Sequence, residues 1–349
     1  MNVPLPLDLL FPSSVVDLRL RAASDSDIIF RCTRGHILAL LDRLPRLQVL
    51  ELDNTIHHLS LESTESDHLV SLPLLQSLRV IAGASDSMWL VQHLSLRSLA
   101  DLHITVAQES FSPKAICTAI RPAFAAFTQA HHLDPLQALH VRTSSNRLDI
   151  AGWNTLDCFE NRYVPPNKET SVFEFVLTGP LLHVDMDVQA VILEETFGSL
   201  DIRGVKKLRH WSEKEYGETW LDRSSILESL SAVEDVCICD DSLARMAPTS
   251  VRRPLPFVDY LSRSVTRLPY DTTFFPSLRR IHLVEVYSEE SFDALLFALK
   301  QRKHQRGVRT VEEVEFEGCQ LGLSVIEQFN EVVEKVIHDM YFGAEVELG

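Results

Sequence analysis

Glycine is scarce in this chain, with 12 residues among 349. Loops that wrap a phosphate with closely spaced glycines therefore have little to be built from, and none of the patterns G-x-x-x-x-G-K-[ST], G-x-G-x-x-G or G-x-S-x-G occurs. H-E-x-x-H is missing as well. Basic residues are outnumbered, 33 against 49 acidic ones, for a net charge of −16. That balance disfavours a nucleic-acid footprint, which concentrates Lys and Arg, and it disfavours anionic membrane surfaces. Long apolar runs are lacking too, because Asp, Arg, Ser or Pro interrupts each one before it reaches the length of a membrane span. The opening "MNVPLPLDLLFPSSVV" carries no basic start and contains Pro4, Pro6 and Asp8, so it does not read as a signal peptide. Six cysteines are scattered except for Cys237 and Cys239. Without a secretory leader they read as reduced thiols, and the chain as cytoplasmic or nuclear.

What the chain does have is a repeat. The spacing apolar-x-x-apolar-x-apolar occurs at Val15/Leu18/Leu20, Leu47/Leu50/Leu52, Leu75/Leu78/Val80, Leu99/Leu102/Ile104 and Leu136/Leu139/Val141. It returns at Phe197/Leu200/Ile202, Val233/Val236/Ile238, Leu278/Ile281/Leu283 and Val311/Val314/Phe316, with a weaker copy at Phe173/Val176/Thr178. Side chains alternate along a strand, so the last two apolar residues of each copy share one face. The first covers the edge of the core on the chain leading in. This is the leucine-rich-repeat pattern, and a recurrence every twenty to fifty residues marks a solenoid. The expected fold is α/β: an irregular leucine-rich-repeat horseshoe forming one domain over 1–349, with parallel strands on the concave face and helices on the convex face. The Asn that usually follows such a strand is replaced by Thr55, Gly83, Ala107 and Val205.

Two segments read as helices on the convex side. Residues 288–303 place Ser288 as N-cap, acidic residues in the first turns and Lys300, Arg302 and Lys303 at the end, which suits the helix dipole. Residues 322–341 read as a C-terminal capping helix with a Ser324–Glu327 capping box. Residues 161–170 and the Pro-containing insertion 242–276 read as solvated loops. Within 206–220, Trp211, Tyr216 and Trp220 sit among mixed charges. They either anchor a protein interface or pack back on the scaffold.

No catalytic constellation emerges, and no metal or cofactor is expected. Cys237 and Cys239 point the same way from a strand, but no second Cys/His pair stands at zinc spacing, so they read as core or concave-face thiols. The residues beside each pair of anchors define the outward stripe: Arg19/Arg21, Glu51/Asp53, Arg79/Ile81, His103/Thr105, His140/Arg142, Asp201/Arg203, Cys237/Cys239, His282/Val284 and Glu315/Glu317. From Arg79 to Arg142 it is basic or His-rich on an acidic body. Such a patch serves an acidic protein segment, or its mixed charge simply serves solubility. Candidate partner-binding residues are Arg79, His103, His140, Arg142, Arg203, Trp211, Tyr216 and Trp220.

The segments "LFPSSVVDLRL" (10–20), "LPRLQVLELDNT" (44–55), "FPSLRRIHLVEV" (275–286) and "VEEVEFEGCQLGLSVIEQFNEVVEKVI" resemble the leucine-rich region of fungal F-box proteins. The resemblance implies a monomeric, non-catalytic module that recognises a protein substrate for a cullin ubiquitin ligase. An F-box opens with a Leu-Pro-x-Glu type motif and ends near a Trp, whereas here Leu5-Pro6 leads straight into the first repeat and no Trp precedes Trp89. Docking on the cullin-ligase adaptor is therefore expected only where an F-box lies upstream of Met1. A stand-alone repeat scaffold or inhibitor, unconnected to ubiquitin, fits the same residues.

Overall fold

A computed structural model describes residues 11–22, 32–56, 69–97, 99–107, 113–132, 134–144, 146–156, 170–179, 186–212, 229–240, 275–286, 289–304, 308–319 and 321–339. The contacts divide the chain into two compact units.

The first unit contains strands β1 (Asp17–Arg21), β2 (Val49–Asp53), β4 (Ser77–Gly83), β6 (Asp101–Ala107), β8 (Arg147–Trp153) and β9 (Phe173–Thr178), in the order β1-β2-β4-β6-β9-β8. The first five of that order run parallel, and β8 is antiparallel to β9. A two-residue pair, β3 (Val70–Ser71) and β5 (Leu94–Ser95), forms a second small parallel sheet. Helices α1 (Arg34–Asp42), α2 (Ala84–Gln92), α3 (Pro113–Ala130) and α4 (Met186–Ser199) supply the second layer, with α3 packed between α2 and α4. Thr33 caps α1 by accepting the His36 amide at 3.3 Å, as an N-cap hydroxyl does for an otherwise unbonded amide. Arg34 then reaches Asp86 of α2 at 3.0 Å and lies over the Trp89 ring. The core is aromatic where α3 meets β9: Phe124 packs edge-on against Phe173 and Phe175, with ring centroids 5.8 and 5.6 Å apart.

In the second unit all six strands run parallel: β7 (Ala138–Thr143), β10 (Lys207–Ser212), β11 (Asp235–Asp240), β12 (Arg280–Val284), β13 (Glu313–Glu317) and β14 (Lys335–His338), in the order β7-β10-β11-β12-β13-β14. Helix α5 (Glu289–Arg302) buries Phe292, Leu295, Leu296 and Leu299 along one face, the stripe its sequence shows. Phe292 meets Phe316 of β13 at 5.7 Å, and Phe316 meets Phe329 of α6 (Leu323–Asn330) at 5.0 Å. Arg302 is buried, and its guanidinium donates to the carbonyls of Phe275 and Arg309. Burial lowers its pKa to about 10, so it stays charged at neutral pH.

The repeat is visible in backbone hydrogen bonds. After seven of the first anchors the following residue offers one carbonyl to two successive amides at the start of the neighbouring strand; in the first unit these are Val16 to Gln48 and Val49, Gln48 to Gln76 and Ser77, and Gln76 to Ala100 and Asp101. The second unit repeats it, Gln137 to Lys206 and Lys207, Lys206 to Glu234 and Asp235, Glu234 to Arg279 and Arg280, and Arg279 to Glu312 and Glu313. Before the strand, the first anchor's amide closes a turn onto the carbonyl three residues earlier, on Leu44, Leu72, Ile202, Leu230 or Phe275. These five are buried, whereas Pro12, which receives the Val15 amide in the same way, is exposed; in those five repeats the spacing therefore has a fourth apolar position ahead of the three.

That fourth position explains one misplacement. The copy assigned to Phe197/Leu200/Ile202 is not a strand; its strand is β10, anchored by Val205, Leu208 and His210, with Ile202 at the leading position. Val205 is therefore an anchor rather than the residue replacing an Asn. A histidine in the third slot hid the pattern. The same holds at the end of the chain, where the helix expected over 322–341 stops at Asn330 and Lys335–His338 pair with β13 instead. Its anchors Val333, Val336 and His338 repeat the spacing, and β pairing overrides their equally helical period. Gly322, not Ser324, is the N-cap of α6, and no side chain caps it, so the Ser324–Glu327 capping box does not form. In β9 the core residues are Phe173, Phe175 and Leu177 rather than Phe173, Val176 and Thr178, as the register against Leu102, Ile104 and Val106 requires. Loop 161–169 and insertion residues 242–274 lie outside the described residues.

His210 makes the fold pH-sensitive. It is 2 % exposed, and burial lowers its pKa from 6.5 to about 4. The unfolded chain therefore binds a proton that the folded one refuses between those values, so stability falls as pH drops from 6.5 toward 4, by about 3 kcal/mol from this group. Urea melts of the wild type and His210→Leu across that window are expected to show the smaller loss in the variant; equal slopes would contradict the assignment.

Candidate strand-face functional site

Alternation puts the residues between the core anchors on the opposite side of each sheet, and the strand register lines them up laterally. In the first unit Arg19, Glu51, Arg79, His103 and Glu174 form one row. Arg21, Asp53, Ile81, Thr105 and Val176 form the next. Glu51, only 6 % exposed, sits 2.7 Å from the Arg21 guanidinium and 3.9 Å from Arg19. His103 Nδ1 faces the Glu174 carboxylate at 3.5 Å. Between these pairs stands Arg79, exposed, in register with Glu51 and sharing a cleft with Asp101, and in no ion pair among the described residues. Arg19, Arg79, Asp101, His103 and Ser171 line a cleft of about 260 Å³ over this row.

The face of the second unit is less polar and better buried. Its rows are His140, Arg209, Cys237, His282, Glu315 and Ile337, and then Arg142, Trp211, Cys239, Val284 and Glu317. Both Arg142 and Arg209 lie over the Trp211 ring, with guanidinium carbons 5.8 and 5.6 Å from its centroid. His140 and Arg209 are buried. The Cys237 and Cys239 sulfurs are 3.7 Å apart, and Cys237 Sγ is 3.5 Å from His282 Nδ1. His282 Nε2 lies 2.9 Å from a Glu317 oxygen. A cleft of about 270 Å³ opens over Lys207, Arg209, Cys237, Arg280 and His282.

The expected partner-binding residues separate accordingly. Arg79 and His103 belong to one face, and His140, Arg142 and Trp211 to the other, all projecting from strands. Arg203 does not: it lies in the turn between α4 and β10, because the strand begins at Lys207. Arg209 and Trp211 occupy the outward positions that the shifted pattern assigned to Asp201 and Arg203. Tyr216 and Trp220 lie outside the described residues. Arg209 and His210 fall outside the repeat copies seen in the sequence; the signal for them is Val205 followed by Leu208, once His is admitted in the third slot.

Chemically, the first face offers charged groups already set in pairs, and Arg79, in no ion pair among the described residues, is exposed to an incoming carboxylate. The second offers two cations stacked on an indole and a thiol cluster. Among the described residues, no group of three His, Cys, Asp or Glu side chains could hold a metal ion. No helix among them is long and apolar enough to cross a membrane. Compared with known proteins, the chain matches no family model and no curated protein.

The stack on Trp211 is testable by a double-mutant cycle of Arg142→Ala and Trp211→Leu in urea melts. A coupling of about 0.5–1 kcal/mol is expected for a half-buried cation over an indole. Strictly additive effects would show that the two side chains do not interact.

Proposed function

We propose that the chain is an irregular leucine-rich-repeat solenoid, with helices on its convex side, that binds a protein partner on its strand face and performs no catalysis. The observation that carries this reading is the exposed Arg79, held between the Glu51 and His103–Glu174 pairs on a row to which each successive repeat adds one outward residue. The recurring carbonyl that receives two amides from the next strand supports the repeat. A row of preset charges discriminates between partners and steers their approach more than it adds raw affinity. An extended segment bearing a carboxylate at the Arg79 position is the complementary partner.

The segments resembling fungal F-box proteins support, as the cellular role in this proposal, substrate recognition for a cullin ubiquitin ligase by a monomer in the cytoplasm or nucleus. Adaptor binding belongs to a form in which an F-box precedes this region. Affinity purification of the endogenous protein, read by mass spectrometry, tests both halves. The wild type is expected to bring down a cullin-ligase adaptor together with substrate proteins. Arg79→Glu is expected to keep the adaptor and lose the substrates. A missing adaptor would leave a stand-alone scaffold or inhibitor; substrates retained by Arg79→Glu would rule out the strand face of the first unit.

A further inference from the structure

The thiol cluster on the second unit has no part in partner binding as argued above, yet its arrangement is specific. Cys237 and Cys239 are two residues apart on β11 and project from the same outward side, with their sulfurs at 3.7 Å. Cys237 is half-buried and lines the cleft; Cys239, 2 % exposed, lies behind it. On one flank, Arg209 of β10 is in register with Cys237, and its positive charge favours an anion on Cys239. On the other, His282 of β12 turns Nδ1 toward Cys237, while its Nε2 is 2.9 Å from Glu317 of β13. The Glu317 carboxylate beside Nε2 favours a proton on that nitrogen, which leaves Nδ1 facing the Cys237 thiol as the atom that accepts its proton. Glu317 thus acts as a positioning residue for His282.

The other cysteines have no second thiol in contact among the described residues. Cys32, Cys117 and Cys319 are buried, and burial pushes Cys117 and Cys319 up to about 12. In the pair, the S–H···S contact and the Arg209 guanidinium hold the Cys239 thiol below its ordinary value, while the same contact and burial hold Cys237 above. One anion is thus favoured across two sulfurs, and the second proton is retained.

We propose that Cys237 and Cys239 form a redox-active dithiol that exchanges with a low-molecular-weight disulfide such as oxidised glutathione. In the first step His282 Nδ1 accepts the Cys237 proton and the Cys237 sulfur attacks the disulfide. The glutathione S–S bond breaks, a mixed disulfide forms on Cys237, and the departing thiolate takes the proton from His282. In the second step the Cys239 thiolate attacks Cys237 Sγ, closing a Cys237–Cys239 bond and releasing the second glutathione, which is protonated with the hydrogen that began on Cys239. Two protein thiols lose two electrons, and one small disulfide becomes two thiols. Strand residues two apart have Cα atoms separated by about 6.6 Å, near the upper end of what a disulfide spans. The closed bond is therefore strained and returns readily to the dithiol.

The test uses the full chain, incubated natively with oxidised glutathione, alkylated and mapped by mass spectrometry over time. The Cys237–Cys239 peptide is expected to lose two hydrogens before Cys32, Cys117 or Cys319 reacts. Cys239→Ser, which removes the resolving thiol, is expected to hold one glutathione on Cys237. His282→Gln is expected to slow the first step about tenfold and move its pH–rate inflection upward, one unit corresponding to a tenfold change in thiolate. Reaction of the pair no faster than that of Cys117 and Cys319 would overturn the proposal, as would a Cys239→Ser chain that takes up no glutathione. Should His282→Gln fail to fold, those first two measurements decide the matter alone.

Discussion

At seven of the described strand pairings one backbone carbonyl sets the register on which the rest depends. It belongs to the residue after the first apolar anchor and receives two amides from the neighbouring strand, as Gln48 does from Gln76 and Ser77. With that pair of bonds in place the strands cannot slip by one residue without exchanging their faces. Leu50, Leu78 and Leu102 are thereby held in one buried line. The same register carries Glu51, Arg79 and His103 into a line on the other side. Core and candidate site are two faces of one constraint.

Charge is organised by the same lines. The protein carries 49 acidic residues against 33 basic ones, yet many outward positions pair opposite signs across neighbouring strands. Asp235 and Arg280 meet at 2.7 Å, and Lys335 meets Glu313 at 2.8 Å. Exposed pairs of this kind contribute little stability each. Their effect is to leave a few groups, Arg79 among them, as the ones available to an incoming charge.

Most strands were legible in the sequence, because an apolar spacing of three and then two has few structural solutions, and eight of the nine strong copies fall on strands at their expected anchors. What escaped did so for physical reasons. Histidine at 210 and 338 occupies a slot that apolar residues fill elsewhere, and a polarity scan discards it even though His210 is buried neutral. Strand β8, with Leu148, Ile150 and Ala151 all buried, follows no repeat, since it runs antiparallel to β9. The terminal segment satisfies helical and strand periods at once, and pairing with β13 decides between them. The charged rows were readable by residue, but their pairing was not: His282 with Glu317 is a diagonal contact, visible only once the register of β12 and β13 is known.

The outermost strands have a consequence for how the molecule behaves in a crowded solution. A sheet edge is a template on which another chain can crystallise its own backbone. At one margin β1 presents Asp17, Arg19 and Arg21, all charged and exposed. In the second unit the described edge strand β14 is four residues long and opens with Lys335. A foreign strand laid along either margin meets desolvation of fixed charge at one and a ladder too short to repay its ordering at the other. Addition of a foreign strand is thus disfavoured at each of these two strands by its own chemistry.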